Sequence, residues 1–246
     1  MLMCEKGYTI VESLIALAIV GIIIAGIYDL VVSSSRTYLA QNGTVEMQAD
    51  GRAAMDFMTR ELRQAFDNPT ISTTTSAGDT ISFNRVEDTG YSSGGNIDTT
   101  LNDTRKSWVT SSFEPSSTSS FTVRIISGPG TGQVRTISNN SSTRLTLSQA
   151  WVGTVPDETS VYVITINKGF TRTSASDNVL RYRIGATGDR QPLAENIMSH
   201  SFSQPFLATN PSIFRITLTA RTNSIDPNTK QYREYTLTED VSIRNM

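Results

Sequence analysis

Residues 6–26 read KGYTIVESLIALAIVGIIIAG. They begin a long apolar segment, from which the main feature of the fold can be predicted. Residues 13–28 carry no charge and are almost all apolar. Extended to residues 8–32, the segment would form a helix about 37 Å long at about 1.5 Å per residue. That length exceeds the roughly 30 Å hydrocarbon core of a bilayer. The sequence therefore predicts a membrane-spanning helix beginning near residue 8.

The residues around this apolar segment argue against an ordinary cleaved secretory signal. Such a signal has a shorter apolar region with a small-residue cleavage site after it, whereas here the polar leader, residues 1–7, comes before the apolar run. Lys6 is the only basic residue ahead of the segment, and Arg36 is the first beyond it. This small bias predicts that residue 1 lies in the cytoplasm.

Glu12 is the one acidic residue at the start of the apolar segment. An ionised carboxylate within a membrane helix costs on the order of 2.5–3.5 kcal/mol. Glu12 could lie at the interface, or it could pair with a positive group. Cleavage after Gly7 would create such a group, the α-amino group of Tyr8, and a neighbouring copy shifted along the helix axis could bring it to Glu12. The sequence thus suggests assembly through paired charges inside a membrane or filament core.

Residues 6–26 resemble the type IV prepilin signature: a basic residue, Gly, an apolar or aromatic residue, Thr, Glu, and an apolar helix. The resemblance implies that prepilin peptidase cuts between Gly7 and Tyr8 and N-methylates Tyr8, and that Glu12 is the assembly carboxylate. Tyr8 departs from the commoner Phe. The short leader is similar to those of the type IVa and type II secretion class. It contains Cys4, so the mature chain would hold no cysteine and no disulfide.

Residues 44–67 continue the helical pattern beyond the membrane. One face carries apolar residues at helical spacing, which are Ala54, Met55, Met58, Leu62, Ala65 and Phe66. This face is expected to pack on a β domain, and Asn68-Pro69 is expected to end the helix. The stretch also resembles the second half of the helix in large minor pilins and in the J-type pseudopilins of type II secretion.

Beyond residue 70 the periodicity changes to two, which predicts antiparallel strands separated by Gly, Pro and Asn turns. The predicted strands are residues 80–83, 121–126, 133–137, 144–148, 160–166, 178–184, 212–222 and 232–245. Residues 121–137 read as a hairpin in which Gly130 and Gly132 supply positive φ. The strands and turns also account for the Ser and Thr content: 63 residues of the chain, of which eight precede residue 70.

Residues 98–165 form a self-contained run that is interpreted as an inserted β module. It contains both tryptophans, Trp108 and Trp151, which are expected to be core residues rather than a platform for sugars. The run resembles a small β module that recurs in phage tail and cell-surface proteins. Residues 178–246 resemble the closing half of a minor-pilin domain, and His200 within them is expected to be a surface or half-buried residue with its hydrogen bonds satisfied.

Composition excludes several classes of protein. The 21 basic and 23 acidic residues of the 246-residue chain do not provide a basic surface for nucleic acid. A single Cys and a single His exclude Cys/His zinc sites and make a Ser-His-Asp mechanism improbable. Four acids could approach Ca²⁺, but their spacing does not match an EF-hand, and solvated loop acids are favoured; they are Asp98, Asp103, Asp157 and Glu158. No catalytic constellation, metal site or cofactor site is predicted.

Together these patterns predict an α+β fold, with a long transmembrane-to-periplasmic helix packed on an antiparallel sheet, as in pilins. The expected segments are a leader (1–7), the helix (8–67, with 8–32 in the membrane or filament core), a β domain (68–97 and 166–246) and the insert (98–165). The resemblance implies a minor pilin of the inner membrane and then the pilus, with prepilin peptidase, other pilins and the assembly platform as partners. The alternatives are a J-type pseudopilin, or an adhesin that binds a surface or glycan through the insert.

Overall fold

The computed structural model describes residues 10–74, 78–116, 119–172, 176–185 and 190–243. Over these ranges the chain forms one α-helix followed by twelve β-strands. The elements are α1 (Ile10–Arg63), β1 (Ala65–Thr74), β2 (Gly78–Tyr91), β3 (Thr100–Asn102), β4 (Phe121–Ser127), β5 (Val134–Asn140), β6 (Arg144–Leu147), β7 (Val161–Thr171), β8 (Leu180–Ile184), β9 (Arg190–Ala194), β10 (Ile197–Ser203), β11 (Ile213–Arg221) and β12 (Glu234–Ser242).

Helix α1 ends at Arg63, four residues before the expected end at residue 67. The chain instead enters β1, because Ala65 and Phe66 pair with β2. The register of β1 shifts between Phe66 and Thr70, and Asp67 within this irregularity has a φ of 65°. A bulge here suits Pro69, which has no N–H for a regular ladder.

The second half of α1 packs on the sheet through the expected apolar face. Ala54, Met55, Met58 and Leu62 are buried in one core with residues of β2, β7, β8 and β10–β12. Ala65 is buried too, but it lies on β1 rather than on the helix. The predicted packing of the helix on an antiparallel sheet is therefore confirmed.

The strands form two antiparallel sheets within the described part of the chain. The larger sheet has nine strands, with β1-β2-β7-β4-β5-β6-β3 as its main path and with β8 and β9 added beside β7. The smaller sheet has the order β10-β11-β12. The eight predicted strands all correspond to observed ones, and the 121–137 hairpin is β4 and β5, with Gly130 at φ 81° and Gly132 at φ 85°. The other four observed strands are not among the eight predicted: β1, β3, β9 and β10.

Strand β7 lies where two separate hydrophobic cores meet. Its second half pairs with β8 and places Phe170 in the core under α1. Its first half pairs with β4 and places Tyr162 and Ile164 in a second core, built from β3–β6 and the tryptophans. Strand β2 pairs with β7 along both halves. The boundaries predicted for the insert, 98 and 165, stay a prediction, but the second core lies largely between them.

The chain divides into two compact units. One holds α1 up to Glu46 together with the loop Thr222–Arg233, and the other holds the remaining residues. In the first unit Asp226 is 3% exposed. It holds the loop by accepting hydrogen bonds from Arg233 Nε and from the backbone N–H of Asn228, each at 2.8 Å. Arg233 Nη1 reaches Thr44 Oγ1 of the helix at 3.5 Å.

Candidate functional site

The first part of α1 exposes apolar side chains on every face. The exposed residues between positions 10 and 31 occupy all directions around the helix axis: Ile10, Val11, Leu14, Ile15, Leu17, Ile19, Val20, Ile22, Ile23, Ile24, Ile27, Tyr28, Leu30 and Val31. A helix that is apolar all round needs a lipid or protein environment on all sides. Among the described residues, α1 is also the helix that is long and apolar enough to cross a membrane.

Glu12 lies in the first turn of α1 and is exposed. A carboxylate at this end of a helix is favoured by the partial positive charge of the unbonded N–H groups. Its role as the assembly carboxylate stays a prediction. The other two predicted site residues, Gly7 and Tyr8, lie outside the described residues, as does Cys4.

A buried ionic cluster anchors the last turns of α1 to the sheet. Glu61, 6% exposed, accepts a 2.9 Å hydrogen bond from the hydroxyl of Tyr182. Lys168 Nζ lies 3.7 Å from Glu61 Oε2 and 3.4 Å from Glu87 Oε1, and Arg85 Nη1 lies 3.5 Å from Glu61 Oε2. Burial, followed by the hydrogen bond to Glu61, raises the pKa of Tyr182 above its ordinary value. Sequence analysis missed this cluster because its members come from α1, β2, β7 and β8.

The second core contains the two tryptophans. Trp151 is 5% exposed and donates from Nε1 to the Thr100 carbonyl at 3.0 Å, so its predicted core position is confirmed. Trp108 is partly buried against the same core and donates from Nε1 to Asp88 Oδ2 at 2.7 Å. Neither indole ring is exposed as a flat surface on which a sugar could stack.

The four acids considered and not favoured as Ca²⁺ ligands are Asp98, Asp103, Asp157 and Glu158. Asp98, Asp157 and Glu158 are exposed, and no three acidic, His or Cys side chains of the described residues are grouped as metal ligands would be. The expectation that all four are solvated is wrong for Asp103, which is 1% exposed. It accepts a 2.8 Å hydrogen bond from the buried Tyr162 hydroxyl.

Gly90 makes room for this buried pair. Gly90 is the β2 partner of Tyr162 in the β2–β7 ladder. A Cβ on Gly90 would lie 2.5 Å from Tyr162 Oη and 2.6 Å from Asp103 Oδ2, which is closer than Cβ atoms come to non-bonded atoms in proteins. Burial, followed by the hydrogen bond to Asp103, raises the pKa of Tyr162. A glycine in a strand is a sign of such close approaches, but the sequence does not identify the group that approaches.

His200 corrects another expectation, because it is neither at the surface nor satisfied. The residue is 4% exposed, and Nε2 donates to the Asp79 carbonyl at 2.5 Å. Its Nδ1 has no hydrogen-bond partner among the described residues. Burial lowers the pKa of His200, and the charge of Arg172 adds to that effect. The alternating pattern of β10 turns His200 inward with Phe202, whereas Ser199 and Ser201 face solvent.

Comparison with known proteins identifies one motif. Residues 2–28 match the family model described as the prokaryotic N-terminal methylation motif. No curated protein and no solved structure matches the chain. The motif is that of pilin-like and pseudopilin-like proteins, which prepilin peptidase processes and which are structural proteins rather than enzymes. The first part of α1 therefore carries the apolar part of this motif, and it is similar to the N-terminal hydrophobic segment of prepilin-like proteins.

Proposed function

We propose that this chain is a structural minor pilin. Prepilin peptidase cleaves it between Gly7 and Tyr8 and methylates the new amino group of Tyr8. The protein is held in the inner membrane by α1, with its β domains in the periplasm, and then enters a type IV pilus, where it helps to initiate or cap assembly. The observation that carries the proposal is the methylation motif on a helix whose apolar side chains are exposed on every face.

The exposed apolar side chains of α1 keep the helix in an apolar environment, first lipid and then neighbouring helices. Burial of one large aliphatic side chain contributes about 1.5–3 kcal/mol relative to water. In the membrane, lipid already covers these side chains, so packing among neighbouring helices replaces lipid contacts with close protein contacts. The helix can thus leave the bilayer for a filament core without exposing its apolar faces to water.

Glu12 supplies the register between neighbouring copies. After cleavage, Tyr8 carries a positively charged amino group four positions before Glu12 in the sequence, and Glu12 needs such a group beside it. A neighbouring subunit displaced along the axis can place its amino group there. Pairing removes the cost of about 2.5–3.5 kcal/mol that an ionised carboxylate bears in an apolar environment.

The test of this role is the variant Glu12→Ala. We expect prepilin peptidase to cleave it normally, as measured by intact mass, while the amount recovered in sheared filaments falls strongly. Glu46→Ala, which removes an exposed carboxylate further along the same helix, is the matched control and should enter filaments as the parent does. Normal incorporation of Glu12→Ala would contradict the pairing role.

The nearest alternative is a pseudopilin of the J type, since the helical pattern of residues 44–67 suits both. Expression in two strains separates the two functions: one strain lacks its minor pilins, and the other lacks its J-type pseudopilin. Recovery of pili, with secretion unchanged, supports the pilus role. Recovery of secretion without recovery of pili would support the function of a J-type pseudopilin instead.

A third function, adhesion through the insert, is favoured by an open cleft beside the second core. Deletion of residues 98–165 is a poor test of adhesion, because it also removes Tyr162 and Ile164 of β7, which belong to the second core. The deletion would remove strands β3–β6 and the first half of β7 from the nine-stranded sheet. Surface variants in the cleft test binding without this damage.

A further inference from the structure

The cleft lies at one end of the nine-stranded sheet and has a volume of about 590 Å³. The ends of β2 and β4, the start of β7 and the turn at 103–106 enclose it. Tyr91 and Ile126 form its apolar wall, and they are 56% and 42% exposed. Arg105 and Lys106 form its polar wall. An exposed aromatic ring next to fixed donors is a common composition of a small-ligand site.

The basic side chains of the cleft are held rigidly. Arg105 Nη2 donates to the Tyr91 carbonyl at 2.6 Å, Arg105 Nε donates to Asp103 Oδ1 at 3.2 Å, and the guanidinium carbon lies 5.3 Å from the centre of the Tyr91 ring. Lys106 Nζ donates to Asp88 Oδ1 and to the Thr89 carbonyl, each at 2.6 Å. Little side-chain freedom remains to be lost when a ligand binds.

Both side chains keep donors for a ligand. No hydrogen bond joins Arg105 Nη1 to another of the described residues, and Lys106 uses two of its three N–H groups. The carboxylates nearby are engaged internally: Asp103 with Tyr162 and Arg105, and Asp88 with Lys106 and Trp108. The cleft therefore presents N–H donors, whereas its acceptors are occupied.

We propose that this cleft binds an acidic saccharide, a pyranose that carries a carboxylate. A pyranose has a C–H face that packs on an aromatic ring, and oxygen atoms around its edge that accept hydrogen bonds. Tyr91 and Ile126 provide the apolar surface, through Ile126 and the face of the Tyr91 ring away from Arg105. Arg105 Nη1 and the third N–H of Lys106 provide charged donors for a carboxylate. The proposal deepens the adhesion alternative given above and rests on it. It does not depend on processing at Gly7 and Tyr8.

The experiment measures binding of trigalacturonate to the full-length chain in detergent micelles by calorimetry, with maltotriose as the neutral probe. We expect trigalacturonate to bind at least about fivefold more tightly than maltotriose, because an ionised acceptor strengthens the hydrogen bonds. Tyr91→Ala should weaken binding of trigalacturonate at least about fivefold, through loss of the ring surface. Tyr91→Phe, which keeps the ring, should bind within about twofold of the parent.

Two further variants separate a binding role from a structural one. Arg105→Lys keeps the charge but loses the Nη1 donor that the contacts of Nε and Nη2 hold in place, so it should reduce the preference for trigalacturonate over maltotriose. Phe206→Ala removes another exposed aromatic residue, 42% exposed and outside the cleft lining, and should bind as the parent does. Each variant is first shown by circular dichroism to unfold within a few degrees of the parent.

Three outcomes would overturn the proposal: no binding of trigalacturonate by the folded parent, equal binding of both probes, or unchanged binding by Tyr91→Ala. If an acidic peptide such as triglutamate displaced bound trigalacturonate at equal concentration, the ligand would be an acidic protein segment rather than a saccharide. Failure in any of these assays leaves the pilin proposal intact, because that proposal is tested by N-terminal processing and filament incorporation.

Discussion

The hydroxyl of Tyr182 donates a 2.9 Å hydrogen bond to Oε2 of Glu61, and this contact joins the last turns of helix α1 to strand β8. Both residues are buried. Lys168 lies beside the same carboxylate and over the Tyr182 ring, with 5.7 Å between Nζ and the ring centre. The helix is therefore attached to the sheet by a polar cluster as well as by apolar packing.

Replacement of Tyr182 by Phe should destabilise the β domain. The variant keeps the ring contacts with Phe57 and Phe170 but removes a hydrogen bond to a charged group, worth about 1.5–3 kcal/mol. Urea unfolding of the full-length chain in detergent measures the change in the free energy of unfolding. Tyr91→Phe, at an exposed tyrosine, should change it by less than about 0.5 kcal/mol. Equal effects of the two substitutions would contradict this role of Tyr182.

Replacement of Lys168 by Met should be more damaging. Lys168 is 6% exposed and lies between Glu61 and Glu87. Its removal leaves Arg85 as the remaining cation of the cluster. Loss of one partner of a buried pair typically costs about 3–5 kcal/mol. The double variant Lys168→Met with Glu61→Gln should recover part of that loss, because the uncompensated carboxylate is gone. A strictly additive double variant would show that the two residues are not coupled.

Replacement of Gly90 by Ala should also destabilise the chain, by about 1–3 kcal/mol, because the new methyl group overlaps the Tyr162–Asp103 pair. Gly43→Ala is the control. Its added Cβ meets only the Thr222 methyl group at 4.0 Å, and alanine has a higher helix propensity than glycine. A combined variant, Gly90→Ala with Tyr162→Leu, tests the cause, since it removes the hydroxyl that the methyl group meets. No relief in that variant would exclude Tyr162 as the source of the clash.

Stability should depend on pH through His200. Burial lowers its pKa below the ordinary 6.5, so the unfolded chain takes up the proton first as pH falls. The free energy of unfolding should therefore decrease as pH falls below about 6.5, until the folded-state pKa is reached. Two charged residues act on the ring. Asp79 opposes the lowering of the pKa through its carbonyl and its carboxylate, and the like-charged Arg172 adds to it, while burial has the largest effect. A proton on Nδ1 would find no acceptor among the described residues.

The measurement for this prediction is urea unfolding at several values between pH 7.5 and pH 5, on the parent and on His200→Gln. The glutamine amide can still donate to the Asp79 carbonyl but does not titrate. The difference in free energy of unfolding between the two proteins should shrink as pH falls through 6.5. A constant difference over this range would show that His200 does not control the pH dependence.

Sequence patterns predicted the parts of this fold that rest on local periodicity. The apolar segment, the Ala54–Met58–Leu62 face and the alternating strands follow from the spacing of residues, and the structure confirms all three. The helix end was misplaced because Ala65 and Phe66 continue the helical pattern, while pairing with β2 decides their conformation. Tertiary pairing prevails over local preference at such a boundary.

The polar clusters could not be predicted, for a related reason. Glu61 and Tyr182 are 121 positions apart, and Asp103 and Tyr162 are 59 apart. No local spacing connects such residues, so the sequence alone predicts a solvated loop acid at Asp103. His200 was misjudged differently: its neighbours Ser199 and Ser201 make the stretch look polar, although alternation along β10 turns it inward. The motif residues Gly7, Tyr8 and Glu12 were accessible to sequence analysis because they form one contiguous pattern.

The central claim, that the chain is processed as a prepilin, is tested most directly at its N-terminus. The full-length chain is expressed with and without prepilin peptidase, and the purified product is examined by intact mass spectrometry and N-terminal sequencing. We predict a mature protein that begins with N-methyl-tyrosine at position 8 when the peptidase is present, and an unprocessed chain when it is absent. A chain that retains residues 1–7 in the presence of active peptidase would contradict processing between Gly7 and Tyr8.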